Sequence, residues 1–351
     1  MTHSTKTSRR VKRSLLAATA LSIALVLAAC SGTSGAAQST AAQTPVKYQL
    51  SWLKITQFGG FFAADKEKFF SDEGIEPTFT AGGSNILAWQ QVANGTALLG
   101  DEDNTLLLEA IAKGEPLVAI GAVFQKSPMA IMSLADKPIS SAKDLEGKTI
   151  AYPDNGIAQL KSALQADGVD VSKVTIVPAG ADPTQLVTHQ VAGYGGYATS
   201  QGASLEVQGL KVKYLYVDDI TKVPSYGNVI VTTKANLADP AKRKTIEKFM
   251  TAAVKGYEWM NAHPEDAAKI VVNDVNPTGG LKLSTETQTA KIQASLIESK
   301  TGVLRVSAEQ MQAFIDSLVA AGTLTKKLDA KDVVDPTVLD AVYGDKTSLL
   351  E

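Results

Sequence analysis

Cysteine is almost absent: one residue, Cys30, in a chain of 351. A lone thiol excludes a disulfide framework and any Cys-based zinc or iron–sulfur cluster. Only three histidines are present, His3, His189 and His263, too few for a His-rich metal site, so no metal and no cofactor is expected. Positive charge is not in excess either. With 34 basic and 36 acidic residues the formal net charge is −2, which argues against a nucleic-acid partner. The catalytic patterns Gly-x-Ser-x-Gly, His-Glu-x-x-His and the P-loop are missing, and no catalytic residue is assigned. No apolar run reaches the ~20 residues that a membrane-spanning helix needs. What remains is 44% hydrophobic and 20% charged, a globular composition in a chain long enough for two packed domains.

The amino-terminal segment differs from the rest. Lys6, Arg9, Arg10, Lys12 and Arg13 precede an apolar run over residues 15–29, the pattern of a secretory signal peptide. Leu27-Ala28-Ala29-Cys30 resembles the lipobox of bacterial lipoproteins. That predicts a signal over residues 1–29, lipidation of Cys30 and anchoring of the mature chain without spanning. Residues 30–45 carry no large apolar side chain and read as a flexible tether. Without the signal, 29 basic face 36 acidic residues, a balance of −7 that the total conceals. An extracytoplasmic, lipid-anchored location at the bacterial cell membrane is expected.

From Val46 onward strands and helices alternate. Residues 46–50, 75–79, 97–100, 117–124, 149–152, 174–178, 210–217 and 228–233 read as strands. Residues 59–70, 86–93, 105–113, 157–167 and 183–191 read as helices, and long helices follow Pro240. This is an α/β chain with largely parallel sheets and two lobes. The expected division is 46–135 for the first part of lobe 1, 136–230 for lobe 2, and 231–351 for the rest of lobe 1 with C-terminal helices. Hinge crossings are expected near 133–137 and 229–233.

Several phrases stand in a familiar order: Leu50-Ser51-Trp52, Gly60-Phe61-Phe62-Ala63-Ala64, Glu73-Gly74-Ile75, Gly82-Gly83-Ser84, Val92-Ala93-Asn94-Gly95, Lys113-Gly114-Glu115-Pro116 and Lys143-Asp144-Leu145-Glu146-Gly147-Lys148. Over about Gln49 to Val272 the chain resembles the NMT1/THI5-like (SsuA/THI5-like) substrate-binding proteins of ABC importers. The resemblance implies a two-lobe, type II periplasmic-binding-protein-like fold with the ligand cleft between the lobes. It also implies a small-molecule ligand, capture by hinge closure, and an ABC permease with its ATPase as partners. A monomer is expected. His189-Gln190-Val191-Ala192 departs from the family's usual Gly-x-Val-Asp phrase.

Candidate ligand-binding residues follow from positions at strand ends. Gly82, Gly83, Ser84 and Asn85 sit between a strand and a helix, where free N–H groups suit an anion or where Ser84 or Asn85 simply caps the helix. Asn155 lies in the corresponding turn of lobe 2. Trp52 ends the first strand at the carboxyl edge, and its ring could stack on a flat heterocycle. Gln57 and Phe58 follow it. Tyr194 and Tyr197 stand in a glycine-rich run, with Tyr152 and Tyr226 as weaker cases. Asp101, Glu102 and Asp103 form an acidic cluster, of which Glu102 is a candidate ligand contact and Asp103 a candidate cap. Gln125 closes the apolar strand at residues 117–124.

Two ligand classes and one further activity compete. The aromatic supply favours a flat heterocycle, such as a thiamine-precursor pyrimidine or a flavin. An aliphatic sulfonate, taurine or nitrate-type oxyanion at Gly82–Asn85 is the alternative, but Lys54 is the only basic residue near that turn. The eukaryotic pyrimidine synthases of the same superfamily carry an active histidine where Phe58 aligns, and a cysteine run. This chain has neither, so an enzyme is not expected.

Overall fold

The computed structural model describes residues 42–350 apart from Ser84 and Ala181. The expected signal, Cys30 and most of the expected tether therefore lie outside the described residues, as do Ser84 and the side chain of Asn155.

Ten strands form two five-stranded sheets. The first has the order β2-β1-β3-β10-β4 and the second β7-β6-β8-β5-β9. Their ranges are β1 Thr44–Gln49, β2 Ile75–Thr80, β3 Leu99–Glu102, β4 Leu117–Phe124, β5 Met129–Leu134, β6 Thr149–Tyr152, β7 Thr175–Pro178, β8 Gly193–Tyr197, β9 Val212–Tyr216 and β10 Gly227–Thr233. β4 and β10 are buried at every position. A strand covered on both faces reads as an unbroken apolar run, which is why Leu117-Val118-Ala119-Ile120 is legible as one.

Topology decides where a site can form. β1, β2 and β3 run parallel, so their carboxyl ends share one edge, and β6, β7 and β8 do the same in the second sheet. β4 runs antiparallel to β10 and ends opposite Gly227, beside the carboxyl end of β3. β5 begins opposite Tyr197, the last residue of β8. Only residues 125–128 separate β4 from β5, and the return from β9 to β10 spans residues 217–226. Both connections therefore tie the two carboxyl edges together. These edges are where open α/β sheets hold ligands.

The sheet membership corrects the expected division. β5 belongs to the second sheet, so the first crossing lies at residues 125–128 and not near 133–137. β10 belongs wholly to the first sheet, so the return precedes Gly227 and not Val229. The helix expected over 59–70 is two, Gly59–Lys66 and Phe69–Asp72, because Lys68 takes a left-handed conformation with φ 66°. Helix Leu283–Ile297 lies in the helical region expected after Pro240, and it connects both halves as described below.

The first core is built where helix Gly59–Lys66 crosses helix Pro240–Ala262. A Cβ on Gly256 would lie 2.1 Å from the Gly60 carbonyl oxygen, and one on Gly60 would lie 2.3 Å from the Tyr257 ring. Alanine at 256 gains about 1 kcal/mol of helix propensity. Overpacking against backbone costs about 1–3 kcal/mol or more, so the clash wins. Gly256→Ala is expected to lower stability by about 2 kcal/mol in chemical denaturation. An unchanged midpoint would show that the helices part without strain.

Candidate ligand cleft

Six large apolar side chains are exposed among the described residues, and four of them, Trp52, Leu53, Ile86 and Leu106, follow the carboxyl ends of β1, β2 and β3. Single exposed apolar groups are ordinary; four gathered on one sheet edge form a rim suited to an apolar ligand surface. Trp52 is 41% exposed. Its carbonyl accepts the Gly82 N–H at 2.8 Å. Gly82 is required there, because a Cβ would lie 2.3 Å from the Leu50 carbonyl oxygen.

Behind this rim lies a polar floor. Asp101, fully buried, accepts the Ser51 N–H at 3.3 Å, the Ser51 hydroxyl, and the Asn228 Nδ2 amide at 3.1 Å. Asn228 Nδ2 also donates to Ser51 Oγ at 2.9 Å, while its Oδ1 accepts from Gln57 Nε2 at 2.9 Å. Asn228 has φ 51°, a left-handed conformation that asparagine tolerates better than most side chains. Burial pushes the Asp101 carboxyl up to about 7, against the lowering effect of Ser51 and Asn228; Glu102 beside it raises it further. The hydroxyls of Tyr48 and Tyr257, fully buried, are raised by their own burial and then by the charge of Asp101.

Glu102 has a different task. Its carboxylate accepts the Trp89 N–H at 3.2 Å and the Asp103 N–H at 3.0 Å. The helix expected over 86–93 begins at Ala88, with Leu87 as the flanking residue, so Asn85 does not cap it. The Trp89 amide in the first turn of this helix, where an oxyanion was one expectation, is thus taken by the protein's own carboxylate. Asn85 is exposed in the preceding turn. Asp103 caps helix Asn104–Ala112 as expected, accepting the Thr105 and Leu106 N–H groups at 2.9 and 3.1 Å.

The second sheet supplies the opposite wall. The run Gly193-Tyr194-Gly195-Gly196-Tyr197 is β8, a central strand and not a loop. A Cβ on Gly195 would lie 2.1 Å from the Tyr152 ring, so the glycine makes room for that ring. Tyr197 keeps partial exposure at the carboxyl end of β8. Its hydroxyl is raised by burial, then by the charge of Asp103 and by Tyr152. Asp103 belongs to the first edge and Tyr197 to the second, so the two edges face each other. Asp103 is solvent-exposed yet crowded enough that desolvation raises its carboxyl, as befits a residue inside a cleft.

Five candidates fall away from the cleft. Phe58 and Tyr194 are fully buried. Phe58 packs in the first core, and Tyr194 packs with Met132 and Leu186 while its hydroxyl donates to the Gly180 carbonyl at 2.7 Å. Tyr226 accepts the Ser307 N–H at 2.9 Å and stays buried in the first half. Gln125 spends both amide protons on the carbonyls of Ala122 and Arg305, at 3.2 and 2.9 Å. Tyr152, 4% exposed, packs in the core of the second half. Trp52, Gln57 and Tyr197 stay at the two carboxyl edges, joined by Ser51, Asp101 and Asn228.

The two crossings are stapled by one side chain. Asp218 on helix Val217–Thr221 accepts the Ser127 N–H from the first crossing at 3.1 Å. It also accepts the Ser225 N–H and hydroxyl from the second, at 3.1 and 2.7 Å. Asp218→Ala leaves those amides unpaired in a half-buried place, an expected loss of about 2–3 kcal/mol in chemical denaturation. A loss below ~0.5 kcal/mol, the scatter of ordinary surface changes, would show that the staple contributes nothing. Helix Leu283–Ile297 makes a third link. Glu286 accepts the Thr56 N–H at 3.0 Å, while Thr289 Oγ1 donates to the Thr199 carbonyl at 2.6 Å.

A profile of the NMT1/THI5 like family matches residues 55–267. The riboflavin-binding protein RibY of Chloroflexus aurantiacus is 27% identical over 263 residues, covering 70% of this chain and 74% of its own. The formylaminopyrimidine-binding protein of Halalkalibacterium halodurans is 26% identical over 255 residues, covering 71% of this chain and 76% of its own. The crystal structure of the periplasmic aliphatic sulphonate binding protein SsuA from Escherichia coli superposes with a TM-score of 0.62 at 16% identity, covering 82% of this chain and 91% of that one. At that identity the likeness speaks for the fold alone, the two-lobe type II fold of periplasmic binding proteins. The profile covers well over half of the sequence, and the chain belongs to the NMT1/THI5-like family.

Proposed function

We propose that the protein is the extracytoplasmic solute-binding lipoprotein of an ABC importer, held to the membrane through Cys30. It captures a flat nitrogen heterocycle of the formylaminopyrimidine or flavin type between its two sheet edges and presents it to a permease. The observation that carries this reading is the apolar rim with an exposed Trp52 beside the polar floor of Ser51, Gln57 and Asn228. A heterocycle needs that combination: a ring face to stack on and polar groups in its plane. The names of the two curated relatives point the same way. The oxyanion alternative loses the Trp89 amide at the start of the adjoining helix to Glu102. Binding, and not catalysis, suits a cleft whose polar groups are held in one another's hydrogen bonds. Closure about residues 125–128 and 217–226 would be driven by contacts both edges make only when shut.

Thermal unfolding of the full chain in mild detergent tests the ligand class. Riboflavin or formylaminopyrimidine is expected to raise the midpoint, since a ligand that binds only the folded state stabilises it. A rise with taurine or an alkanesulfonate alone would overturn the reading. Cys30→Ser is expected to move the protein from the membrane fraction to the soluble one.

A further inference from the structure

The floor of the cleft is a directed hydrogen-bond chain with one ambiguous proton. Gln57 Nε2 donates to Asn228 Oδ1, and Asn228 Nδ2 donates to both Ser51 Oγ and Asp101 Oδ2. The Ser51 hydroxyl donates to the same Asp101 Oδ2. With Asp101 ionised, every proton in the chain has a fixed direction. The single proton of Ser51 points at the carboxylate, and its hydroxyl faces the cleft with a lone pair. Add one proton to Asp101 Oδ2 and the direction reverses. The carboxyl then donates to Ser51 Oγ, which already accepts from Asn228, and the Ser51 proton turns outward. Ser51 is partly exposed at the end of β1, next to Trp52, whereas Asp101 is fully buried behind it.

We propose that Asp101 is a positioning residue that acts through Ser51: its protonation state decides whether the Ser51 hydroxyl meets the ligand as an acceptor or as a donor. The device selects between ring edges that offer an N–H and ring edges that offer a bare nitrogen or carbonyl. It rests on the heterocycle reading above and names the atom that reads the ring. The titratable groups that face Asp101 are Glu102, next to it on β3, and the hydroxyls of Tyr48 on β1 and Tyr257 on helix Pro240–Ala262. Ser51 and Asn228 face it as neutral donors. Burial sets the carboxyl near 7, so both states are reached within a neutral pH range.

Two measurements decide the matter. Formylaminopyrimidine and riboflavin are titrated calorimetrically into the full chain at pH 5.5 and pH 8.5, for the native protein, Asp101→Asn and Ser51→Ala. Asn at 101 keeps an N–H directed at Ser51 and so imitates the protonated carboxyl. One hydrogen bond that changes sense is expected to shift affinity about fivefold between the two pH values in the native protein. Asp101→Asn is expected to hold its low-pH affinity at both, and Ser51→Ala to lose the pH dependence. A native pH profile retained in Asp101→Asn overturns the proposal. The second readout needs no ligand. The Ser51 N–H donates to Asp101 Oδ1, so its amide resonance is expected to titrate with a midpoint near 7 and to stand still in Asp101→Asn. A Ser51 resonance that is flat from pH 5.5 to 8.5 in the native protein also overturns it. If neither probe binds at either pH, the heterocycle reading falls, and the amide titration alone decides the role of Asp101.

Discussion

Trp52→Ala is expected to weaken heterocycle binding about 10- to 100-fold, the worth of one base–aromatic stack at ~1–3 kcal/mol, while leaving thermal stability unchanged. The separation of the two effects follows from where the ring lies. Trp52 is 41% exposed, and the hydrogen bond at this residue is made by its backbone carbonyl, which alanine keeps. Removing an exposed ring opens no cavity, so the stability term is small. Phe58→Ala is the contrasting case. Phe58 is fully buried in the first core, and its loss should cost about 3–5 kcal/mol whatever the ligand. Calorimetry and thermal unfolding on both variants read the difference. Binding within twofold of native in Trp52→Ala would remove the stacking face from the account.

Asp101→Asn should make the protein more stable at pH 8 and nearly neutral in effect at pH 4. In an unfolded chain Asp101 ionises near its ordinary 3.8, whereas in the fold it keeps its proton up to about 7. Between those values only the unfolded state has lost the proton, so the native protein loses stability as pH rises from about 4 to about 7. Below that window both states are protonated, and above it both are ionised and the difference levels off. The total is on the order of 4 kcal/mol at 1.36 kcal/mol per pH unit. Asn228 loses part of its acceptor in the variant, which trims the gain. Urea midpoints at pH 4, 6 and 8 check the sign. A gap between variant and native protein that does not widen with pH would mean that Asp101 ionises normally in the fold.

Parts of this arrangement were legible in the sequence and parts were not, for identifiable reasons. β4 was readable because a strand buried on both faces is apolar throughout. β8 was not, since two tyrosines among three glycines carry the composition of a ligand loop; Gly193 and Gly195 are there because isoleucines and the Tyr152 ring occupy the space, and Gly196 lies against the Gln201 side chain. β5, Met129–Leu134, has no alternation to mark it, and missing it moved the expected lobe boundary into the second sheet. Within the site, Trp52 and Gln57 could be placed from a single fact, that they follow a strand at its carboxyl end. Phe58 and Tyr194 could not, because one residue decides which way a side chain faces and spacing alone does not fix the face. The partnership of Asp101 with Asn228 depends on β3 pairing antiparallel with β10, a contact between residues far apart in the chain that no local pattern announces. An asparagine following Gly227 at the head of an apolar strand was the only hint of it.

The cleft is expected to hold a flat heterocycle and to refuse an oxyanion. The direct test is titration calorimetry of the full chain with formylaminopyrimidine, riboflavin and hexanesulfonate under one set of conditions. Saturable one-to-one binding of at least one heterocycle is expected, with only dilution heat from the sulfonate. Saturation by hexanesulfonate, with dilution heat from both heterocycles, would contradict it.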